Sequence, residues 1–178
     1  MPISLADLQI VSFDPTVHNV SGFDCDDQDL NDFLKNDAAK YQDEHLSRTQ
    51  LAFLNGNIVG YITFLMDCII LVTSEKKHLL DFHRSIYTFP ALKIGRIGIQ
   101  KESKGNRIGT QLLKYAVGLA VRLNQEMNIG CRFITLDAYP KSIAWYEKNG
   151  FVYNKRYTAP EKTHPSMRYD ILKSPKIP

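Results

Sequence analysis

Lys104-Gly105-Asn106-Arg107-Ile108-Gly109-Thr110 is the stretch of this 178-residue sequence best suited to chemistry. It falls between a strand-like run, 92–100, and an amphipathic run outlined by Ile108, Leu112, Leu113, Leu119, Ala120, Leu123 and Met127. A glycine-rich turn at a strand-to-helix junction exposes several backbone N–H groups, and the helix dipole adds positive potential there. The turn is therefore a phosphate cradle or a tight structural turn, and the glycines alone do not separate the two. Lys104 and Arg107 would reinforce a cradle. A P-loop needs Gly, four residues, then Gly-Lys-Ser/Thr. Here only three residues separate Gly105 from Gly109, and Thr110 stands in the lysine's place. The dinucleotide fingerprint needs three spaced glycines and an acidic residue about 20 positions on, and this stretch has neither.

Other reactive side chains are more ambiguous. Tyr146, beside Trp145 in a helical run over 142–149, is by spacing a packed aromatic and by chemistry a neutral proton donor at pH 7. Glu102 and Asp137 lie near the ends of two strand-like runs, where each is a general base or an ordinary loop carboxylate. The five histidines are dispersed and take no role. Cys25, Cys68 and Cys131 form no Cys-x-x-Cys pair, so reduced thiols in a cytoplasm fit better than a disulfide framework or a metal site. The net charge is only +3, yet it is patterned. Asp24, Asp26, Asp27, Asp29 and Asp32 lead into the first helix, and Lys93, Arg96, Lys101, Lys104 and Arg107 form a basic stretch in mid-chain. Such a stretch marks a phosphate-bearing ligand or simply a solvated face. A period of two puts Lys93 and Arg96 on opposite faces of one strand. Lys93 reads as solvated.

The elements that must position these residues are legible. At 44% apolar and 23% charged, the composition is that of a soluble globular chain of one domain. No apolar run approaches the roughly 20 residues of a membrane span, and the N-terminus lacks a secretory signal. Strands are expected at 8–13, 49–54, 58–65, 92–100 and 132–137, with a closing antiparallel pair at 151–157 and 167–172. Asn55-Gly56-Asn57 joins the second and third as a tight hairpin. Leu30, Phe33, Leu34, Ala38 and Tyr41 recur at helical spacing, with Asp26 or Asp27 as the cap. A short helix is expected at 76–85, and 173–178 reads as a frayed tail. Gly95 and Gly98 interrupt the fourth strand, as expected where another backbone comes close. This order makes a mixed α/β fold.

Lys104 to Gly109, followed by Thr110, Leu112 and Leu113, resembles the (Gln/Arg)-x-x-Gly-x-(Gly/Ala) hallmark of the GNAT family of N-acetyltransferases. Lys104 stands where Gln or Arg is usual, and Arg107 stands where the first glycine is. Ser142-Ile143-Ala144-Trp145-Tyr146-Glu147-Lys148-Asn149-Gly150-Phe151 resembles the family's Ala-x-x-Phe-Tyr-x-x-x-Gly-Phe segment, with Tyr139 where an asparagine is common. Phe23-Asp24-Cys25-Asp26, Ser47-Arg48-Thr49 and Arg96 before Ile97 further resemble one branch, the toxins of toxin–antitoxin pairs that acetylate aminoacyl-tRNA.

The resemblance implies one acetyltransferase domain over 1–172, with a mostly antiparallel central sheet, a V-shaped splay between two central parallel strands, and flanking helices. It implies acetyl-CoA as cofactor, with the pantetheine arm along Ile97, Gly98 and Ile99. The pyrophosphate would sit on Lys104, Gly105, Asn106, Arg107, Ile108, Gly109 and Thr110, with Tyr139 adding a contact and no metal required. In catalysis it makes the Ile99 N–H the oxyanion donor and Tyr146 the acid for the leaving thiolate. It nominates Arg96 and Arg48 for the acceptor or RNA. Implied partners are an amine acceptor (the α-amino group of aminoacyl-tRNA in that branch), a small DNA-binding antitoxin and a second copy of the chain. A small-molecule or protein amine as acceptor, and a non-catalytic acyl-CoA sensor, are the competing readings. An RNA-binding protein without chemistry fits the +3 charge poorly.

Overall fold

Seven strands form one mixed sheet in the computed structural model, which describes residues 3–76, 86–157, 164–173 and 177. The strands are β1 (Gln9–Ser12), β2 (Arg48–Leu54), β3 (Asn57–Ile69), β4 (Phe89–Ile99), β5 (Phe133–Asp137), β6 (Val152–Tyr153) and β7 (Ser166–Asp170). The helices flanking them are α1 (Gln28–Asp32), α2 (Ala38–Asp43), α3 (Thr73–Lys76), α4 (Ile108–Gln125) and α5 (Ile143–Lys148). The sheet order is β1-β2-β3-β4-β5-β7-β6. β4 and β5 pair in parallel from Ala91↔Phe133 to Lys93↔Thr135, whereas β1–β2, β2–β3, β5–β7 and β6–β7 are antiparallel. The mixed, mostly antiparallel sheet expected from the sequence is present. The β2–β3 hairpin closes through Asn55 (φ 50°) and Gly56 (φ 80°), the two positive angles that a twist-matched two-residue turn requires. Of the helix expected at 76–85, 77–85 lie outside the described residues, as do 174–176 and 178 of the expected tail; Ile177 is buried.

The chain divides into two compact units, Met1–Leu65 with Ile94–Ala116, and Met66–Lys93 with Val117–Pro178. The first unit's core gathers Phe13, Phe23, Phe33, Leu34, Leu51 and Tyr61. Each large side chain so buried contributes about 1.5–3 kcal/mol. Tyr61, fully buried, sets its ring edge-on to Phe23 (centroids 5.4 Å) and stacks near Phe33 (6.4 Å). Its hydroxyl donates to the Leu30 carbonyl at 2.8 Å. That bond corrects the sequence reading of one continuous first helix. Occupying a carbonyl of the helical ladder from the side disturbs the regular pattern, and residues Phe33–Asp37 run as a π-helical turn between α1 and α2, with the Ala38 N–H reaching back to the Phe33 carbonyl. The cap is Asp27, which accepts from the Leu30 N–H at 3.4 Å; Asp26 instead adopts left-handed backbone, φ 60°.

The second unit packs Ile69, Leu71, Phe89, Ala91 and Phe133 together. Buried polar links tie β7 to its neighbours in this unit. Arg132 grips Asp170 through two bonds of 3.0 and 2.8 Å, and Arg168 donates to Glu75 at 2.7 Å. Lys93, read as solvated, instead donates to the Asp137 carboxylate at 2.7 Å with its side chain 28% exposed, because the parallel register sets Lys93 opposite Thr135, two residues before Asp137.

Candidate active site

In the first unit β4 runs to Ile99 and the chain then turns through a single 3-10 turn, Lys101–Ser103, into α4. Gly105 has φ 83°, and a Cβ placed on it would meet nothing within 4 Å. Arg107 has φ 62°. A left-handed conformation costs a non-glycine residue roughly 1–2 kcal/mol, so Arg107 carries the backbone shape of the glycine that the family pattern has there. The first helical bond of α4 runs from the Gln111 N–H to the Arg107 carbonyl at 3.1 Å. The N–H groups of Ile108, Gly109 and Thr110 therefore precede any intrahelical acceptor and point out of the helix end. Arg107 is exposed and has no side-chain partner among the described residues. Outward N–H groups, open space at Gly105 and a neighbouring guanidinium suit an anionic group chemically.

Lys104 behaves differently from a phosphate ligand. Its ammonium donates to the Cys25 carbonyl at 2.7 Å and the Asp26 carboxylate at 2.8 Å, and its N–H to the Lys101 carbonyl at 3.3 Å. Lys101 likewise pairs with Asp24 at 2.9 Å. Two of the five basic residues are thus matched by the acidic lead-in to α1, two features the sequence shows separately but does not connect.

β4 supplies the second part. The Gln100 N–H donates to the Val59 carbonyl of β3 at 3.0 Å. Successive N–H groups of an extended chain alternate sides, so the Ile99 and Ile97 N–H groups point away from β3. Gly98 is required by packing inside the protein: a Cβ there would lie 2.6 Å from Cε1 of Tyr61. At Gly95 it would lie 3.0 Å from Leu65. The close approaches that these glycines announced are to Tyr61 and Leu65. Arg96 lays its guanidinium over the Phe33 ring, 4.1 Å from the centroid, with Nε 4.0 Å from Asp29. Its Nε is buried without a hydrogen-bond partner among the described residues. Arg48 is exposed on β2, with one terminal nitrogen 3.4 Å from the His45 ring.

The second unit holds the phenol. Tyr146 on α5 is 6% exposed, packed by Trp145 (4.8 Å) and Phe151 (5.5 Å), and its hydroxyl has no hydrogen-bond partner among the described residues. Burial, with the neighbouring Tyr139 phenol, holds its pKa well above the ordinary phenol value, so it keeps its proton. Tyr139 sets its ring against His164 at 4.7 Å. Neither candidate base is unengaged: Asp137 accepts from Lys93, and Glu102 from the Gln100 amide at 2.8 Å. The sequence reading named Phe33 only as a helix position and Asp24 only within an acidic lead-in and a branch motif, neither as a site residue. Phe33 looks like any apolar helix position, and only its contact with Arg96 distinguishes it.

The description of the acetyltransferase (GNAT) family matches residues 13–151, and the chain belongs to that family. It is accordingly an acetyltransferase, and its cofactor is acetyl-CoA. Solved structures agree on the fold. A bacterial toxin matches with TM-score 0.77 at 17% identity, covering 97% of this chain and 93% of that one. The structure of AtaT complexed with acetyl-methionyl-tRNAfMet matches at 0.73 and 20%, covering 92% and 95%. AtaTR bound with AcCoA matches at 0.69 and 21%, covering 94% and 95%. No described helix is long and apolar enough to cross a membrane.

Proposed function

We propose that this chain, with residues 1–172 acting as one catalytic domain, acetylates the α-amino group of aminoacyl-tRNA. The observation that carries the choice of acceptor is the likeness, over nine-tenths of both chains, to AtaT in complex with acetyl-methionyl-tRNAfMet. Arg96 supports it. Its guanidinium is held over the Phe33 ring, and a planar fork held in place suits phosphate and ester oxygens. Arg48 adds a second exposed cation of the first unit. A small DNA-binding antitoxin and a second copy of the chain are the proposed partners; a KacTA–DNA complex, 20% identical with TM-score 0.68, is among the structural matches.

Acetyl-CoA supplies a thioester already activated for transfer. The chain's own groups do the rest. The N–H groups of Ile108, Gly109 and Thr110, with Gly105, Asn106 and Arg107, hold the pyrophosphate, and Lys104 shapes the turn. Ile97, Gly98 and Ile99 offer backbone edges to the pantetheine arm, and Tyr139 adds a contact. The Ile99 N–H donates to the oxygen that gains charge as the amine attacks. Tyr146 donates its proton toward the sulfur as the carbon–sulfur bond breaks. No base of special strength is needed, because an α-amino group has a pKa near 8 and its ester lies lower; the proton shed by the attacking nitrogen passes to water, from which the Tyr146 phenol is restored.

The test offers radiolabelled acetyl-CoA to the wild type and Tyr146→Phe, with aminoacyl-tRNA, the same tRNA deacylated, and a panel of polyamines and peptides. Label entering charged tRNA alone, and lost in the variant, is the expected result. Label in polyamines or peptides would replace the acceptor while keeping the enzyme. Binding of acetyl-CoA without transfer to any amine would favour a sensor.

A further inference from the structure

Asp24 is hydrogen-bonded through its N–H, its carbonyl and its carboxylate, and none of these bonds is explained by transfer itself. Its N–H donates to the Gln100 side chain at 3.0 Å, and its carbonyl accepts from the Lys101 N–H at 2.8 Å. Its carboxylate accepts from the Lys101 ammonium (2.9 Å), the Asn31 amide (2.9 Å) and the Asp26 N–H (3.0 Å). Asn31, buried on α1, closes the loop by accepting from the Cys25 N–H at 2.9 Å. Lys104 adds its bonds to Cys25 and Asp26. One side of this network is the segment that opens the pyrophosphate turn. The other is α1, two residues before the Phe33 ring that carries Arg96.

We propose that Asp24 is a positioning residue that couples the two substrates: with Lys101 and Lys104 it ties the helical segment bearing Phe33 to the cofactor turn, so that occupancy of the turn raises acceptor affinity at the Arg96 face. The inference rests on the reading that the turn takes acetyl-CoA and the Arg96 face takes the acceptor. A lone exposed ion pair contributes little, but connected bonds converging on one carboxylate act together. They also hold Asp26 in its left-handed conformation (φ 60°). Because coupling is reciprocal, the acceptor must raise cofactor affinity by the same factor.

The experiment measures the Kd of aminoacyl-tRNA with and without saturating CoA, which binds but cannot transfer, and the Kd of CoA with and without the tRNA. In the wild type each ligand should tighten the other by at least roughly 5-fold. In Asp24→Asn the factor should fall toward one. CoA alone should bind within about 3-fold of wild type, kcat at saturation should hold, and acceptor KM should rise by the lost factor. Lys101→Gln, which keeps Asp24 and its other bonds, should lose part of the coupling and serves if Asp24→Asn does not fold. Wild-type coupling within 2-fold of one, or full coupling retained in both variants, overturns the proposal. If wild type neither binds nor acetylates charged tRNA, the acceptor reading has failed. The same cycle with whichever amine takes the label then decides Asp24.

Discussion

A phenol serves a leaving thiolate only while it keeps its proton, and the Tyr146 environment is arranged for that. Burial raises its pKa above the ordinary value, so its protonated form persists across the working range. The rate should therefore rise with pH as the acceptor amine loses its proton, roughly between pH 6 and 8, and stay flat to about pH 10. A falling limb between pH 8 and 10 would remove Tyr146 from this role. Tyr146→Phe should lower kcat on the order of 10²–10⁴-fold and leave the acetyl-CoA Kd unchanged by calorimetry. Arg107 makes the opposite trade. Its positive φ is strained and its guanidinium has no partner among the described residues, so Arg107→Gly should raise stability by about 1 kcal/mol and weaken CoA binding several-fold. A variant that binds CoA as tightly as wild type would show that the side chain does not touch the phosphates.

Among the elements, β4 and the broken first helix meet at Tyr61. The Tyr61 ring fills the space that a Cβ on Gly98 would need, and its hydroxyl takes the Leu30 carbonyl. Gly98→Ala should thus cost about 1–3 kcal/mol, lowering Tm by roughly 2–10 °C. It should also reduce kcat, because the strand must shift one residue from Ile99. An unchanged melting curve would place the ring elsewhere. The glycines were readable as marks of close approach, but the partner was not, since Tyr61 and Gly98 are 37 positions apart and nothing local pairs them. The π turn was invisible for the same reason. The helical spacing of Leu30, Phe33, Leu34, Ala38 and Tyr41 is real, and a side chain from a distant strand interrupts it.

For the whole molecule, acetyl-CoA at 100 times its Kd should stabilise the fold by about 2.7 kcal/mol, raising Tm by roughly 5–10 °C in a thermal-shift titration; no shift would contradict cofactor binding by the native state. The order of elements, the Asn55-Gly56 hairpin, the glycine-rich turn and the Trp145-Tyr146 helix are all set by neighbours within a few residues, so the fold class and the family were legible in the sequence, which also nominated a cofactor turn. It could not assign the cations. Lys93 pairs with Asp137, Lys101 with Asp24 and Lys104 with Asp26, across separations of 44, 77 and 78 residues. Arg107 among them is left exposed at the turn, and Arg96 is left lying on an aromatic ring. A charge acts through distance in space, and only the folded chain sets those distances, so folding settles which of the five basic residues hydrogen-bond to carboxylates and which lie elsewhere.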